Sequence, residues 1–211
     1  RLLCPTVHFR EGRNRAGKEL ARFFRPRGKS PRQVARAVEA AFAAQDAFHE
    51  AVLRAGRDAL AKLDGAGVPG IVICGRPYNV HDAGVNLSVA TKLRDYYGVN
   101  CIPLDFLDTS DVDIRDVNEN MYWNLGRRVI AAAKIVGERP NLHIIYITNF
   151  KCGPDSFIRH FVRTASGKPY LSLQFDGHSN DAGMMTRCEA YLDSKGILRP
   201  WRREKLAPAA V

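Results

Sequence analysis

From residue 71 onward, short apolar runs alternate with stretches of helical period, and this alternation constrains the fold more than any other feature of the chain. Ile71-Val72-Ile73-Cys74 reads as a buried strand, followed by a Gly-, Pro- and Asn-bearing loop to about residue 84. A helix is expected over 87–97, stopped by Gly98, then a short strand over 100–104. Residues 118–136 read as a helix with Met121, Leu125, Val129 and Ile130 inward, and 142–147 as an apolar strand. A loop over 149–156, a helix over 157–164, a strand over 170–175 and a helix over 182–192 complete the series.

Strands separated by helices pair in parallel through right-handed crossovers. Strands apolar at nearly every position are covered on both faces. The expected fold is therefore α/β, with an open, doubly wound, mainly parallel sheet, flavodoxin-like in broad terms. Ligands of such sheets lie outside the carboxyl ends of the strands. The loops beginning at Gly75, Asp105, Thr148 and Asp176 all belong to that edge.

Before this domain, Ser30-Pro31-Arg32-Gln33 marks a helix start: Ser as N-cap, Pro at the first helical position and Gln at the capping-box position. Val34, Val38, Phe42, Phe48, Val52, Leu60 and Leu63 continue that helix until Asp64-Gly65-Ala66-Gly67. Residues 1–30 read as a basic, irregular arm with strand fragments at 2–3 and 7–9. The expected divisions are the arm (1–30), the long helix (31–66), the α/β domain (67–196) and a tail (197–211).

The formal charge of +10 is concentrated in the first 36 residues, where Glu11 and Glu19 are the only acids. No nucleic-acid motif accompanies it, so a solvated arm docking on an acidic neighbour is preferred to a nucleic-acid surface. No apolar run approaches the roughly 20 residues that span a bilayer, and no secretory signal is expected. The expectation is a cytoplasmic chain without a membrane. Five cysteines, Cys4, Cys74, Cys101, Cys152 and Cys188, stand far apart with no CxxC pair. A zinc ribbon, a ferredoxin-type compact cluster and a thioredoxin motif are unsupported, and free thiols or metal ligands are expected in place of disulfides.

Three loops carry chemistry-bearing residues. The first gathers Arg76, Tyr78, Asn79, His81 and Asp82 after the first strand; Arg76 suits a phosphate or carboxylate. It is neither a Walker A loop nor a GxGxxG turn. The second runs from Thr148 and Asn149 through Lys151, Cys152, Asp155 and Ser156. Cys152 stands between a strand and a helix, where the helix N-terminus and Lys151 favour thiolate, as a nucleophile or a metal ligand. A small buried cysteine is the plainer alternative. The third holds Asp176, His178, Ser179 and Asp181; with no GxSxG elbow, a supporting polar network is preferred to a hydrolase triad. Cys101 and Cys188 read as core.

Gly75-Arg76-Pro77-Tyr78-Asn79, Tyr122-Trp123-Asn124-Leu125-Gly126, the run from Ile147 to Phe157 containing Asn149-Phe150-Lys151-Cys152-Gly153-Pro154-Asp155-Ser156, and Asp181-Ala182-Gly183 with Thr186-Arg187-Cys188-Glu189-Ala190 resemble the CoA-substrate-specific enzyme activase family. The region concerned is the one akin to 2-hydroxyacyl-CoA dehydratase subunits and double-cubane-cluster proteins. The resemblance spans about 70–194, and more loosely Cys4-Pro5.

The resemblance implies flavodoxin-like units that hold an iron–sulfur cluster, of 4Fe–4S type, through cysteines from distant segments. Cys152 matches the cysteine of the Asn-Phe-x-Cys-Gly motif, and Cys4 an upstream Cys-Pro ligand. Arg76, Tyr78, Asn79, His81, Asp82 and Asn149 would line the site; Asp155 and Ser156 would cap the helix after Cys152. ATP would be hydrolysed on a partner or a further domain, driving an electron at low potential to an acyl-CoA or similar acceptor in anaerobic metabolism. The implied partners are upstream dehydratase-like and ATPase domains or separate subunits. Where the family usually carries Leu-Glu-x-Asp-Glu-His, this chain has Leu173-Gln174-Phe175-Asp176-Gly177-His178, two acids fewer. The competing expectations are a non-catalytic scaffold docking through its basic arm, and a thiol enzyme using Cys152 without metal.

Overall fold

A computed structural model describes residues 2–150, 152–177 and 179–198. The expected tail from residue 199, Lys151 and His178 lie outside the described residues. The chain divides into two compact units, residues 1–52 and 53–211, with the boundary inside one long helix.

The N-terminal unit is helical, which corrects the expectation of an irregular arm. A 3-10 turn covers Phe9–Glu11, and helix α1 covers Arg13–Phe24. The strand fragments expected at 2–3 and 7–9 do not form. Ala16, Leu20 and Phe24 recur at helical spacing, and Ala16 is fully buried. Glu19 offsets the local positive charge. It accepts from the His8 backbone at 2.8 Å and from Arg15 Nε at 2.6 Å. The His8 backbone bond, against some desolvation, leads the interactions that lower its carboxyl to about 2. Helix α2 spans Pro31–Ala66. It starts with the expected reciprocal cap: Gln33 N donates to Ser30 Oγ (3.2 Å), and Ser30 N to Gln33 Oε1 (2.9 Å).

The C-terminal unit is an α/β domain. Strands β1 (Gly70–Gly75), β2 (Asn100–Pro103), β3 (Leu142–Asn149) and β4 (Leu171–Phe175) form one sheet of order β2-β1-β3-β4. Every pairing is parallel. Helices α3 (Pro77–His81), α4 (Val89–Tyr97), α5 (Asn124–Glu138), α6 (Gly153–Ser166) and α7 (Asp181–Ser194) connect and follow the strands.

Alternation along the strands builds two cores, because successive side chains point to opposite faces. Val72, Cys74, Ile144 and Tyr146 pack with Val129, Ile130, Val136, Ile158 and Val162 from α5 and α6. Ile71, Ile73, Ile145, Ile147 and Leu173 pack with Val89, Leu93, Met185, Cys188 and Leu192 from α4 and α7. Both faces are thus covered, and the strands read as unbroken apolar runs for that reason.

Two local differences from expectation have physical causes. Residues 118–123 are not helical: Asn118 turns its side-chain oxygen onto the Asn120 N–H (3.1 Å), which satisfies the backbone locally, and α5 starts only at Asn124. In place of an open loop, residues 77–81 form the short helix α3, with Pro77 in its first turn.

Candidate functional site

The chain leaves β1 and β3 in opposite directions across the sheet, so the topological switch point lies between these two strands. Arg76 follows β1, and Cys152 follows β3. The structure brings them together: Arg76 Nη2 donates to Cys152 Sγ at 2.8 Å. The Cys152 side chain is partly exposed and sits at the N-cap of α6.

Beneath this pair lies a buried carboxylate. Asp155 Oδ2 accepts from Thr148 Oγ1 at 2.8 Å. Its Oδ1 accepts from the Tyr146 hydroxyl at 3.2 Å and from Arg76 Nε at 3.4 Å. Tyr146 and Thr148 are two residues apart on β3 and so share the face that α6 covers. Burial, together with the neighbouring Asp155 carboxylate, pushes the Tyr146 hydroxyl well above its ordinary range, which keeps it a donor. Burial opposes the charge on Arg76. The neighbouring Asp155, Cys152 and Tyr78 outweigh it and hold the guanidinium firmly protonated. Asp155 therefore anchors Arg76 from below while Arg76 faces Cys152.

The Arg76 guanidinium also lies over Trp123, 5.3 Å from the ring centroid. Arg76, Met121, Tyr122, Trp123, Gly153, Pro154 and Phe157 line an open cleft of about 440 Å³ beside the cysteine. Tyr122 is 97% exposed and Phe157 55%, so the cleft mouth is aromatic and uncovered within this unit.

The other expected site residues play varied parts. Asn79 is fully buried. Its Nδ2 donates weakly to the Ile147 carbonyl (3.4 Å), and Asn86 Nδ2 donates to the Asn79 carbonyl (2.9 Å). The side-chain oxygens of Asn79 and Asn149, both at this sheet edge, are buried acceptors with no partner among the described residues. His81 Nε2 lies 2.8 Å from Asp105 Oδ2, whose other oxygen accepts from Arg128 at 2.6 Å. Burial alone would raise the Asp105 carboxyl, but the bonds from His81 and Arg128 prevail and lower it. Asp82 is a turn former: its Oδ1 accepts from the backbone of Gly84 and Val85. Tyr78 is half exposed.

The expected capping of α6 by Asp155 and Ser156 is corrected. Cys152 is the N-cap residue, and no side chain among the described residues caps the helix. Asp155 turns to the Tyr146 and Thr148 hydroxyls, which would otherwise be buried without acceptors, and Ser156 Oγ accepts a long 3.5 Å contact from Arg159. In the third loop, Ser179 Oγ accepts from the Asp176 backbone at 2.8 Å and Asn180 caps α7; His178, the other member of that loop, lies outside the described residues. Cys4 is exposed in the N-terminal unit. Cys74 and Cys188 are buried, and burial pushes the thiols of Cys74, Cys101 and Cys188 up to about 12. Among the described residues, no group of three or more His, Cys, Asp or Glu is gathered as a metal site.

Sequence reading missed Tyr146 and Thr148 as supports of the site. Their signal was available: two hydroxyl-bearing residues at i and i+2 in an otherwise apolar strand require a buried partner.

Fold and switch-point site together define a doubly wound, flavodoxin-like α/β protein with a guanidinium–thiol pair at its ligand edge. Residues 1–107 match the family model described as CoA enzyme activase uncharacterised domain (DUF2229), and the chain belongs to that family. The matched stretch includes Cys4 and Arg76 and ends before Cys152. Comparisons with curated proteins and with solved structures gave no match. Family membership supports an activase-type role in general. Among the described residues, no helix is long and apolar enough to cross a membrane.

Proposed function

We propose that this chain is an iron–sulfur component, or part of one, in an ATP-dependent low-potential electron-transfer system that serves an acyl-CoA or similar acceptor, with Cys152 as one sulfur ligand. The observation that carries this reading is the 2.8 Å contact from Arg76 to Cys152 Sγ at the switch point, beside an open cleft. A sulfur that bears negative charge, free or metal-bound, is the acceptor such a donor suits.

A 4Fe–4S cluster is held by four cysteine thiolates. The residues at the cleft meet that requirement in part, since they offer one accessible sulfur. The remaining ligands would come from elsewhere: Cys4, an upstream dehydratase-like domain or a partner subunit. A cluster bound there would supply one-electron transfer at low potential. Arg76 would offset the charge at the ligating sulfur, and Asp155 would hold Arg76 in place. Trp123, Tyr122 and Phe157 would wall the cleft against water and meet the partner that supplies the other ligands. ATP belongs to an ATPase partner or domain in this reading.

The test is an alkylation map under strict anaerobiosis, before and after loading with iron and sulfide in the presence of the dehydratase-type partner. Cys152 should be labelled before loading and protected after it. Equal labelling of Cys152 in both states would refute its role as a ligand.

A further inference from the structure

Helix α6 carries a second polar surface that the cleft beside Cys152 does not use. Ser156, Arg159, His160 and Arg163 stand at i, i+3, i+4 and i+7, which places them on one stripe of the helix. The opposite stripe, with Ile158 and Val162, is buried in the core. A cationic stripe on an exposed helix face is ordinarily balanced by acids one turn away. Here the only acid of α6 is Asp155, already engaged by Arg76, Tyr146 and Thr148.

These residues do not form a flat patch. With Pro169 and Tyr170, just before β4, they line a separate concavity of about 330 Å³. Its size falls at the lower end of small-molecule sites, roughly 300–1,000 Å³. One wall is held by a hydrogen bond. The Tyr170 hydroxyl donates to the Arg159 carbonyl at 2.7 Å, which locks the ring against the helix. Arg159 Nη1 and Nη2 make only long contacts with the hydroxyls of Ser172 (3.3 Å) and Ser156 (3.5 Å). Its Nε is buried and has no hydrogen-bond partner among the described residues. Among the described residues, neither Arg159 nor Arg163 is paired with a carboxylate.

We propose that this concavity binds the phosphate group of a small ligand. Two guanidiniums that no carboxylate among the described residues pairs, an imidazole and a serine hydroxyl line one concavity and offer donors to a compact polyanion, and arginine is the side chain suited to bidentate phosphate contact. The Tyr170 ring supplies a wall for the organic part of the ligand. A concavity lined by these residues suits a compact anion better than the extended face of an acidic protein. The site does not depend on the role assigned to Cys152.

The experiment is calorimetric titration of the 211-residue chain with pyrophosphate, coenzyme A and dephospho-coenzyme A at low ionic strength, repeated with Arg159→Gln, Arg163→Gln and Arg115→Gln. Arg115 pairs with Asp113 elsewhere on the surface and is the control. Circular dichroism checks the fold of each variant. Arg163 is exposed, so R163Q keeps the test decisive even if R159Q misfolds. Binding should weaken roughly 10- to 100-fold in R159Q and R163Q, the loss of one charge-assisted hydrogen bond each, and stay unchanged in R115Q. Preference for coenzyme A over its dephospho form would identify a phosphomonoester as the bound group. Equal binding of both, matched by pyrophosphate, would identify a diphosphate. Absence of binding by all three probes, or equal weakening in R115Q, would overturn the proposal.

Discussion

Replacing Asp155 by alanine should be among the most damaging single changes in the α/β unit. The carboxylate is 1% exposed and answers three donors: Thr148 at 2.8 Å, Tyr146 at 3.2 Å and Arg76 at 3.4 Å. Alanine leaves two buried hydroxyls without acceptors and Arg76 without its counter-ion. A buried donor stripped of its partner costs about 1–3 kcal/mol, and a broken buried ion pair about 3–5 kcal/mol. These overlap, since all three donors share one carboxylate. The Arg76 side chain is also 24% exposed, so water recovers part of its solvation. The expected loss is therefore about 3–4 kcal/mol, near the low end of the ion-pair range. The assay is equilibrium urea unfolding followed by Trp123 fluorescence in a Trp201→Phe background, which reports on the α/β unit. Asp155→Asn retains shape and one acceptor and should lose about half as much. A midpoint shift for Asp155→Ala equivalent to less than about 1 kcal/mol would refute the claim that this carboxylate holds the site together.

Gly75→Ala should destabilise the same unit by about 2 kcal/mol or more, because a Cβ there would lie 2.5 Å from the Ile147 carbonyl oxygen; an unchanged urea midpoint would contradict this. Brief alkylation of the native chain near neutral pH should label Cys4 and Cys152, while Cys74, Cys101 and Cys188, with thiols pushed up to about 12, react only after unfolding; mass spectrometry reads the pattern. The Asp105 carboxyl, lowered in the folded state, contributes stability that is present above its unfolded pKa and lost as pH falls through the folded one. His81→Gln should move its NMR titration upward, and an unmoved curve would mean that the contact at 2.8 Å does not stabilise the ionised carboxylate.

The sheet was legible because both of its faces are covered: β1 and β3 need apolar side chains at nearly every position, and that run is visible without any partner. The start of α2 was legible because Ser30 and Gln33 cap each other locally. Helix α1 is masked by its charge, because basic residues crowd around the helical spacing of Ala16, Leu20 and Phe24. Within the site, Arg76 and Cys152 could each be marked from their loops. Their contact spans 76 residues and follows from strand order, which periodicity alone does not supply. The role of Asp155 is hidden for the same reason. Its place at a helix start resembles a cap, and only β3 lying beneath α6 brings the Tyr146 and Thr148 hydroxyls to it.

The central claim is that Cys152 ligates iron. It is tested most directly by measuring iron and acid-labile sulfide after strictly anaerobic reconstitution with the partner system, comparing the wild-type chain with Cys152→Ala. Iron and sulfide should be bound in the wild type and lost in the variant, with the circular dichroism of the two unchanged. Equal iron and sulfide in both would contradict it.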